Sequence, residues 1–274
     1  MNELAASPLG KKNIYFDQYN PELLFAICRD GNRINIGIDI NSLPFDGTDI
    51  WNGFDFTWLD ENRSPHFGVL TIAIPADSPN LIESKSLKLY LFSFANSIFK
   101  GKNEITNIIE KDLSVVAGKT VNVLYEESCE QFSKVQAKFT GQSIDGLDVQ
   151  CNDHDVNSSL LIIDKDIIVE EQLCSELLKS NCLVTGKPDW GSVRITYKGP
   201  KINQDGLLKY IISYRNHQGF HEQCIEHIFF DILTICKPSE LSVEGRYTRR
   251  GGLDINPVRT NTNLKITNDR LFRQ

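Results

Sequence analysis

No stretch of this 274-residue chain reaches the roughly 18 consecutive apolar residues that a membrane-spanning helix needs. Met1–Lys12 holds no long apolar run either, so no secretory leader is expected there. Paired cysteines are missing: the seven present are scattered, odd in number and form no C-x-x-C. That fits a reducing cytoplasm with free thiols better than a disulfide framework, with most thiols expected to act as small buried hydrophobes. Positive charge is short as well, 29 Lys and Arg against 36 Asp and Glu, for a net charge of −7. A global electrostatic grip on nucleic acid or on an anionic membrane is therefore not expected, and any anion must be held by a local cluster. Three fingerprints are absent: G-x-G-x-x-G, G-x-x-x-x-G-K-[ST] and G-x-S-x-G. A dinucleotide would have to sit on a scaffold other than the Rossmann fold. His221-Glu222-Gln223-Cys224-Ile225-Glu226-His227 only superficially resembles H-E-x-x-H, because its histidines fall on different faces of a helix. His217 and His221 have helical spacing, but Gly219 interrupts them. A metal held by His217, His221, Cys182 or Cys224 stays an alternative, and no metal is expected.

What is present is an ordinary globular mixture, 41% hydrophobic and 24% charged, enough for a sizeable core. Strand-like runs stand at Ile34–Ile38 and Gly68–Ile74. After the break at Pro75–Pro79, Leu87, Leu91, Phe94 and Ile98 recur at helical spacing, and a second helix is predicted over Glu104–Leu113. Strands follow near Thr120–Tyr125 and Lys134–Phe139. The order then repeats: strands at Leu183-Val184 and Ser192–Tyr197, a helix through Leu207, Ile211 and Tyr214 ending near Gly219, and another through Ile225, Ile228, Phe229 and Ile232. Leu241–Arg250 and Leu253–Val258 read as a closing hairpin turned by Gly251-Gly252. Gly141–Ser159 is the polar linker. The prediction is an α+β chain of two units, 1–150 and 151–274, duplicated in architecture but without a residue-level repeat.

Four constellations can carry chemistry. In Cys182–Gly191, Pro188 and two glycines mark a tight connection, across which Cys182 and Asp189 could face each other with Lys187 favouring thiolate. A thiolate beside a carboxyl suits nucleophilic addition with proton donation; a buried structural thiol and a turn aspartate fit the same residues. Phe220-His221-Glu222 opens a helix, and Glu222 could take the N–H donors of a guanine-like edge or simply face solvent in the first turn. Glu83–Tyr90 reads as a capped, lysine-bearing helix start whose Ser84 and Lys85 also offer a hydroxyl and a cation to a phosphate. Arg246, Arg249, Arg250 and Arg259, with Gly251 and Gly252, form a candidate anion site in an acidic chain, or a solvated basic hairpin.

Taken together these segments resemble the NADPH-dependent nitrile reductase family of queuosine biosynthesis. The E-S-K-S-x-K-x-Y signature stands at Glu83–Tyr90, the nucleophile loop at Cys182–Gly191, and His221-Glu222 follows; Asp49-Ile50-Trp51-Asn52-Gly53 and the run Arg246–Arg259 are also similar. Lys187 departs from the family, which more often has Gln there. The order of the segments resembles the long, two-module form. The resemblance implies tandem tunnelling-fold units, each an antiparallel sheet with two helices on one face, and a homodimer. It also implies two-step reduction of the nitrile of 7-cyano-7-deazaguanine to an aminomethyl group through a covalent thioimide. By the same resemblance Cys182 is the nucleophile, Asp189 the proton donor, and His221 assists. Leu81, Ile82, Glu83, Phe220, His221 and Glu222 hold the purine-like substrate, and Ser84, Lys85, Arg250 and Gly251 hold NADPH. No direct nucleic-acid or membrane partner is implied. A purine- or pterin-converting hydrolase similar to GTP cyclohydrolase I is the alternative on this fold, and it would need a zinc site.

Overall fold

The computed structural model describes residues 18–127 and 138–274, and its elements follow from local signals. Strands are β1 (Ala26–Cys28), β2 (Asp46–Leu59), β3 (Pro65–Pro75), β4 (Asn80–Ile82), β5 (Asn122–Glu126), β6 (Gln142–Ser143), β7 (Ile163–Asn181), β8 (Pro188–Ile202), β9 (Glu240–Tyr247) and β10 (Leu253–Thr260). Helices are α1 (Asp30–Asn35), α2 (Ser84–Phe92), α3 (Lys102–Ala117), α4 (Gln204–Ser213) and α5 (His221–Cys236). Two compact units draw on separate stretches of chain. The first gathers Met1–Gly31, Asp49–Lys134 and Arg249–Asp254; the second gathers Asn32–Thr48, Val135–Thr248 and Ile255–Gln274.

In the first unit the strand order is β5-β3-β2, with β1 and β4 forming a separate antiparallel pair. Along β3, Leu70, Ile72 and Ile74 are buried on alternate positions, the period-two pattern that the sequence showed. Glu83 caps α2: its two carboxylate oxygens accept from the N–H groups of Lys85 and Ser86, both at 2.8 Å. Ile105, Ile109 and Leu113 bury one stripe of α3, which ends at Gly118 in the left-handed region. In the second unit the order is β10-β9-β8-β7-β6, antiparallel except for β6 with β7. The Gly251-Gly252 turn is as expected: both φ angles are positive, at 59° and 77°, and the Arg250 N–H donates to the Leu253 carbonyl at 2.9 Å.

Several expectations need correction. Ile34–Ile38 is not a strand: α1 covers its start, Gly37 follows with φ 90°, and Ile34 is exposed. The reason is non-local, since Arg33 turns inward to pair with Glu226 at 2.8 Å. Leu183-Val184 lies in a turn. The long strands β2 and β7 went unread, β7 because its charged sequence hides its pairing. The strand expected over Lys134–Phe139 falls largely outside the described residues.

A residue-level repeat is present after all. In each unit a tyrosine in the first long helix donates to an aspartate of the second, Tyr90 to Asp112 and Tyr210 to Asp231, both at 2.7 Å. The serine three residues after each tyrosine accepts a backbone N–H, that of Asn20 at 3.1 Å or Asn157 at 3.2 Å. Those asparagines each open a 3₁₀ turn. Glu83 and Asn203 occupy the same cap, their N–H groups donating to Phe25 and Ile162.

In the second unit the Tyr210–Asp231 pair extends further. Tyr214 meets the Tyr210 hydroxyl at 2.8 Å and stands edge-on to the rings of His217 and His227. Burial, aided by the neighbouring His227, holds the His217 pKa down to about 4 from an ordinary 6.5. The folded state therefore binds fewer protons there than the unfolded chain between these two values. The stability this contributes is fully present above pH 6.5 and is lost as pH falls toward 4. Urea denaturation across that window should show wild type losing more stability with acid than His217→Gln; parallel curves would refute the assignment.

Candidate active site

In the second unit, β7 ends at Asn181 and β8 starts at Pro188, the two paired, with Ser180 opposite Asp189. Pro188 at the first position of a strand loses no ladder bond. Between them the turn is closed by the Cys182 N–H donating to the Lys187 carbonyl at 2.8 Å and the Gly186 N–H donating to the Cys182 carbonyl at 3.0 Å. Gly186 has φ 62°, the left-handed region this turn requires. Cys182 is half-buried at the tip of the strand pair, while Asp189 is only 3% exposed. The Lys187 side chain is exposed, and its link to Cys182 is through the backbone.

The start of α5 lies beside this turn. The Asn181 N–H donates to the His217 carbonyl at 2.8 Å, and the Gly219 N–H donates to the Asn181 carbonyl at 3.2 Å. Phe220 then takes the cap position, its N–H donating to Gln223 Oε1. His221 Nε2 stands 3.8 Å from Asp189 Oδ1, too far for a hydrogen bond but close enough for charge to be felt. Its ring stands edge-on to Tyr247, with centroids 4.1 Å apart. Glu222 is buried in the first turn of α5. The structure thus brings Cys182, Asp189, Phe220, His221 and Glu222 into one neighbourhood.

A second cysteine sits in that neighbourhood. Cys224 is fully buried, and burial above all pushes its thiol up to about 12; the Tyr247 hydrogen bond opposes this, the charge of Asp189 adds to it, and Ser180 opposes. It stays protonated at neutral pH, so it is a poor nucleophile. Asn181, Ser180 and Tyr247 carried no signal in the sequence, because what they touch is fixed by pairing across strands.

The first unit places Leu81 and Ile82 in β4, their side chains buried, and Glu83 fully buried as the cap of α2. Ser84 and Lys85 open α2 half-buried. Gly251 lies against the same helix: a Cβ there would stand 3.4 Å from Cδ of Lys88, one turn beyond Lys85. A hydroxyl, lysines and a turn free of side chains thus fall along one helix, with Arg250 at the opening of that turn, a donor set that fits the phosphates of a dinucleotide. The four-arginine cluster does not hold together. Arg246 is buried against the Thr267 and Gly245 carbonyls and Glu244, and Arg259 is buried against Glu226. Arg249 lies over the Phe54 ring at 4.3 Å.

Among the described residues, no group of three or more His, Cys, Asp or Glu side chains is placed to hold a metal ion. No helix among them is long and apolar enough to cross a membrane.

A family model described as "Nitrile reductase, 7-cyano-7-deazaguanine-reductase N-term" matches residues 15–125, and one described as "QueF-like protein" matches 188–265. A protein of Paraburkholderia phytofirmans named NADPH-dependent 7-cyano-7-deazaguanine reductase is 53% identical over 98% of both chains. One of the same name from Paraburkholderia xenovorans is 52% identical over the same shares. A solved structure, "Crystal structure of the archaeosine synthase QueF-Like in the apo form", is 17% identical with TM-score 0.31, over 36% of this chain and 96% of its own, a likeness too slight to bear on the fold. The relatives carry the reductase name and not that of the hydrolase alternative. With half its residues shared along almost its whole length, the chain belongs to the NADPH-dependent 7-cyano-7-deazaguanine reductase family.

Proposed function

We propose that this chain reduces the nitrile of 7-cyano-7-deazaguanine to the aminomethyl group with NADPH, using Cys182 as covalent nucleophile and Asp189 as proton donor. The observation that carries the residue assignment is the stitched turn: a half-buried thiol, a buried carboxyl and a histidine 3.8 Å from that carboxyl lie at one strand end. The thiolate of Cys182 bonds to the nitrile carbon while Asp189 delivers a proton to nitrogen, giving a thioimide. NADPH, when bound, supplies the hydride for each of the two reductions. Between them the nitrogen lone pair expels Cys182, so the carbon–sulfur bond breaks and an imine remains. In the second reduction the imine nitrogen takes another proton from Asp189, whose carboxyl His221 positions and helps reprotonate from solvent. Covalent capture by a soft thiolate divides one hard reduction into easier steps.

In the second unit Glu222 and Phe220 are assigned to the guanine-like base, and in the first unit Glu83, Leu81 and Ile82 are assigned to substrate. Ser84, Lys85, Arg250 and Gly251 hold the cofactor phosphates. The chain works as a cytoplasmic homodimer of two tunnelling-fold modules, 1–150 and 151–274, on a small molecule and not directly on nucleic acid.

Cys182→Ala should abolish turnover, and intact mass spectrometry of wild type with the nitrile alone should show an adduct on Cys182; an adduct on Cys224 would sink the assignment. Asp189→Asn should keep base affinity and lose about 100- to 10,000-fold in rate.

Glu222→Ala should weaken base binding by about ten- to a hundredfold, the worth of a charge-assisted hydrogen bond. Glu83→Ala should do the same and also lower the melting temperature, since a lost cap costs about 1 kcal/mol. Calorimetric titration showing unchanged affinity would return Glu83 to its capping role alone.

Arg250→Ala should raise the KM for NADPH far more than for NADH, because the 2′-phosphate is what distinguishes them and a guanidinium fork grips it. Equal penalties would mean that Arg250 serves the shared pyrophosphate.

A further inference from the structure

The segment from Arg215 to Gly219 leaves the 3₁₀ turn after α4 and leads directly into α5. Carbonyls at such a helix end have no partner within the helix, so donors must come from elsewhere. They come from the strand end that bears Cys182. Asn181 Nδ2 donates to the Arg215 carbonyl at 2.9 Å and more weakly to that of His217 at 3.4 Å. Lys179 Nζ donates to Asn181 Oδ1 at 2.7 Å and to the same Arg215 carbonyl at 2.5 Å. Two backbone hydrogen bonds of Asn181, one given to His217 and one taken from Gly219, complete the junction. A cation at a helix C-terminal end is also favoured by the helix dipole.

We propose that Asn181 and Lys179 are positioning residues for the nucleophile: the Asn181 amide, oriented by the Lys179 ammonium, fixes the Cys182 turn against the loop that carries His221. This rests on the reading of Cys182 as nucleophile. The lysine fixes which way the amide points, because its ammonium can only donate and so holds the amide oxygen. The nitrogen is thereby aimed at the loop carbonyls. The Lys179 ammonium is partly buried at the junction. Burial, then the charge of Arg215, lowers its pKa, while Asp189 opposes. Cys182 follows Asn181 directly in sequence, so a shift of the junction is passed to the sulfur with no flexible linker between. A misplacement of about 1 Å at a reacting atom can cost on the order of 100-fold in rate.

The test separates positioning from plain structural support. Adduct formation between the full-length enzyme and 7-cyano-7-deazaguanine, without NADPH, is timed by quenched mass spectrometry for wild type, Asn181→Ala and Lys179→Met. Base affinity is measured in the Cys182→Ala background, and iodoacetamide labelling of Cys182 reports its reactivity toward a reagent that needs no alignment. Adduct formation should slow by about 100-fold in Asn181→Ala and in the same direction in Lys179→Met. Base affinity and iodoacetamide labelling should stay as in wild type. Unchanged adduct rates in the folded variants overturn the proposal, as does a loss that lies wholly in affinity. If Asn181→Ala does not fold, Lys179→Met decides alone. An adduct found elsewhere than on Cys182 in wild type would instead bring down the underlying reading.

Discussion

Glu226, 2% exposed, accepts from two guanidiniums at once. Arg33 reaches it at 2.8 and 3.2 Å, and Arg259 at 2.9 and 3.1 Å. Both arginines lie against the Phe45 ring, at 5.6 and 5.5 Å. A buried charge without partners is very costly, so these contacts admit little freedom. Glu226 stands one helical turn beyond Glu222. Fixing it fixes the rotation of α5 about its axis, and with it the direction in which Phe220, His221 and Glu222 leave the helix. The same demand bends the chain at Arg33 into α1 and takes Arg259 out of any role in binding anions.

Cys182, the proposed nucleophile, is by contrast half-buried, in a turn where Val184, Thr185 and Lys187 are exposed. Two cysteines occupy one neighbourhood under opposite conditions. Cys224 is enclosed and locked in its thiol form, whereas Cys182 stands in a turn held by backbone hydrogen bonds. Under the proposed function, chemistry falls to a residue on a short turn between the two longest described strands, which combines exposure with small positional freedom.

Features of local origin were legible in the sequence. Helical spacing in α2, α3, α4 and α5, the Gly-Gly turn and the alternation in β3 need only neighbouring residues to explain them. The motif segments Glu83–Tyr90, Cys182–Gly191 and His221-Glu222 sufficed for the family. What could not be read depends on partners far along the chain. Arg33 and Arg259 look like surface charge until Glu226 is supplied, and Arg246 until the Thr267 carbonyl is. The 19-residue strand β7 carries lysines and glutamates that its pairing with β8 tolerates, so composition argued against it. The internal repeat escaped notice because it survives at few positions, chosen by hydrogen bonding, while the residues around them differ.

That repeat makes the chain its own control experiment. The Tyr–Asp latch, the serine behind it and the asparagine-led turn are common to both units, so they record what the scaffold requires of any occupant. Wherever the copies disagree, the scaffold was indifferent and some other demand chose. Glu83 answers to Asn203 at one cap, and His221 and Glu222 answer to Lys102 and Asn103 at the head of the second long helix. Subtracting one half from the other therefore isolates specialised residues without any second protein for comparison. Each unit is thus specialised at a different end: the first has a carboxylate at its cap, the second an acid and an imidazole at the head of its second long helix.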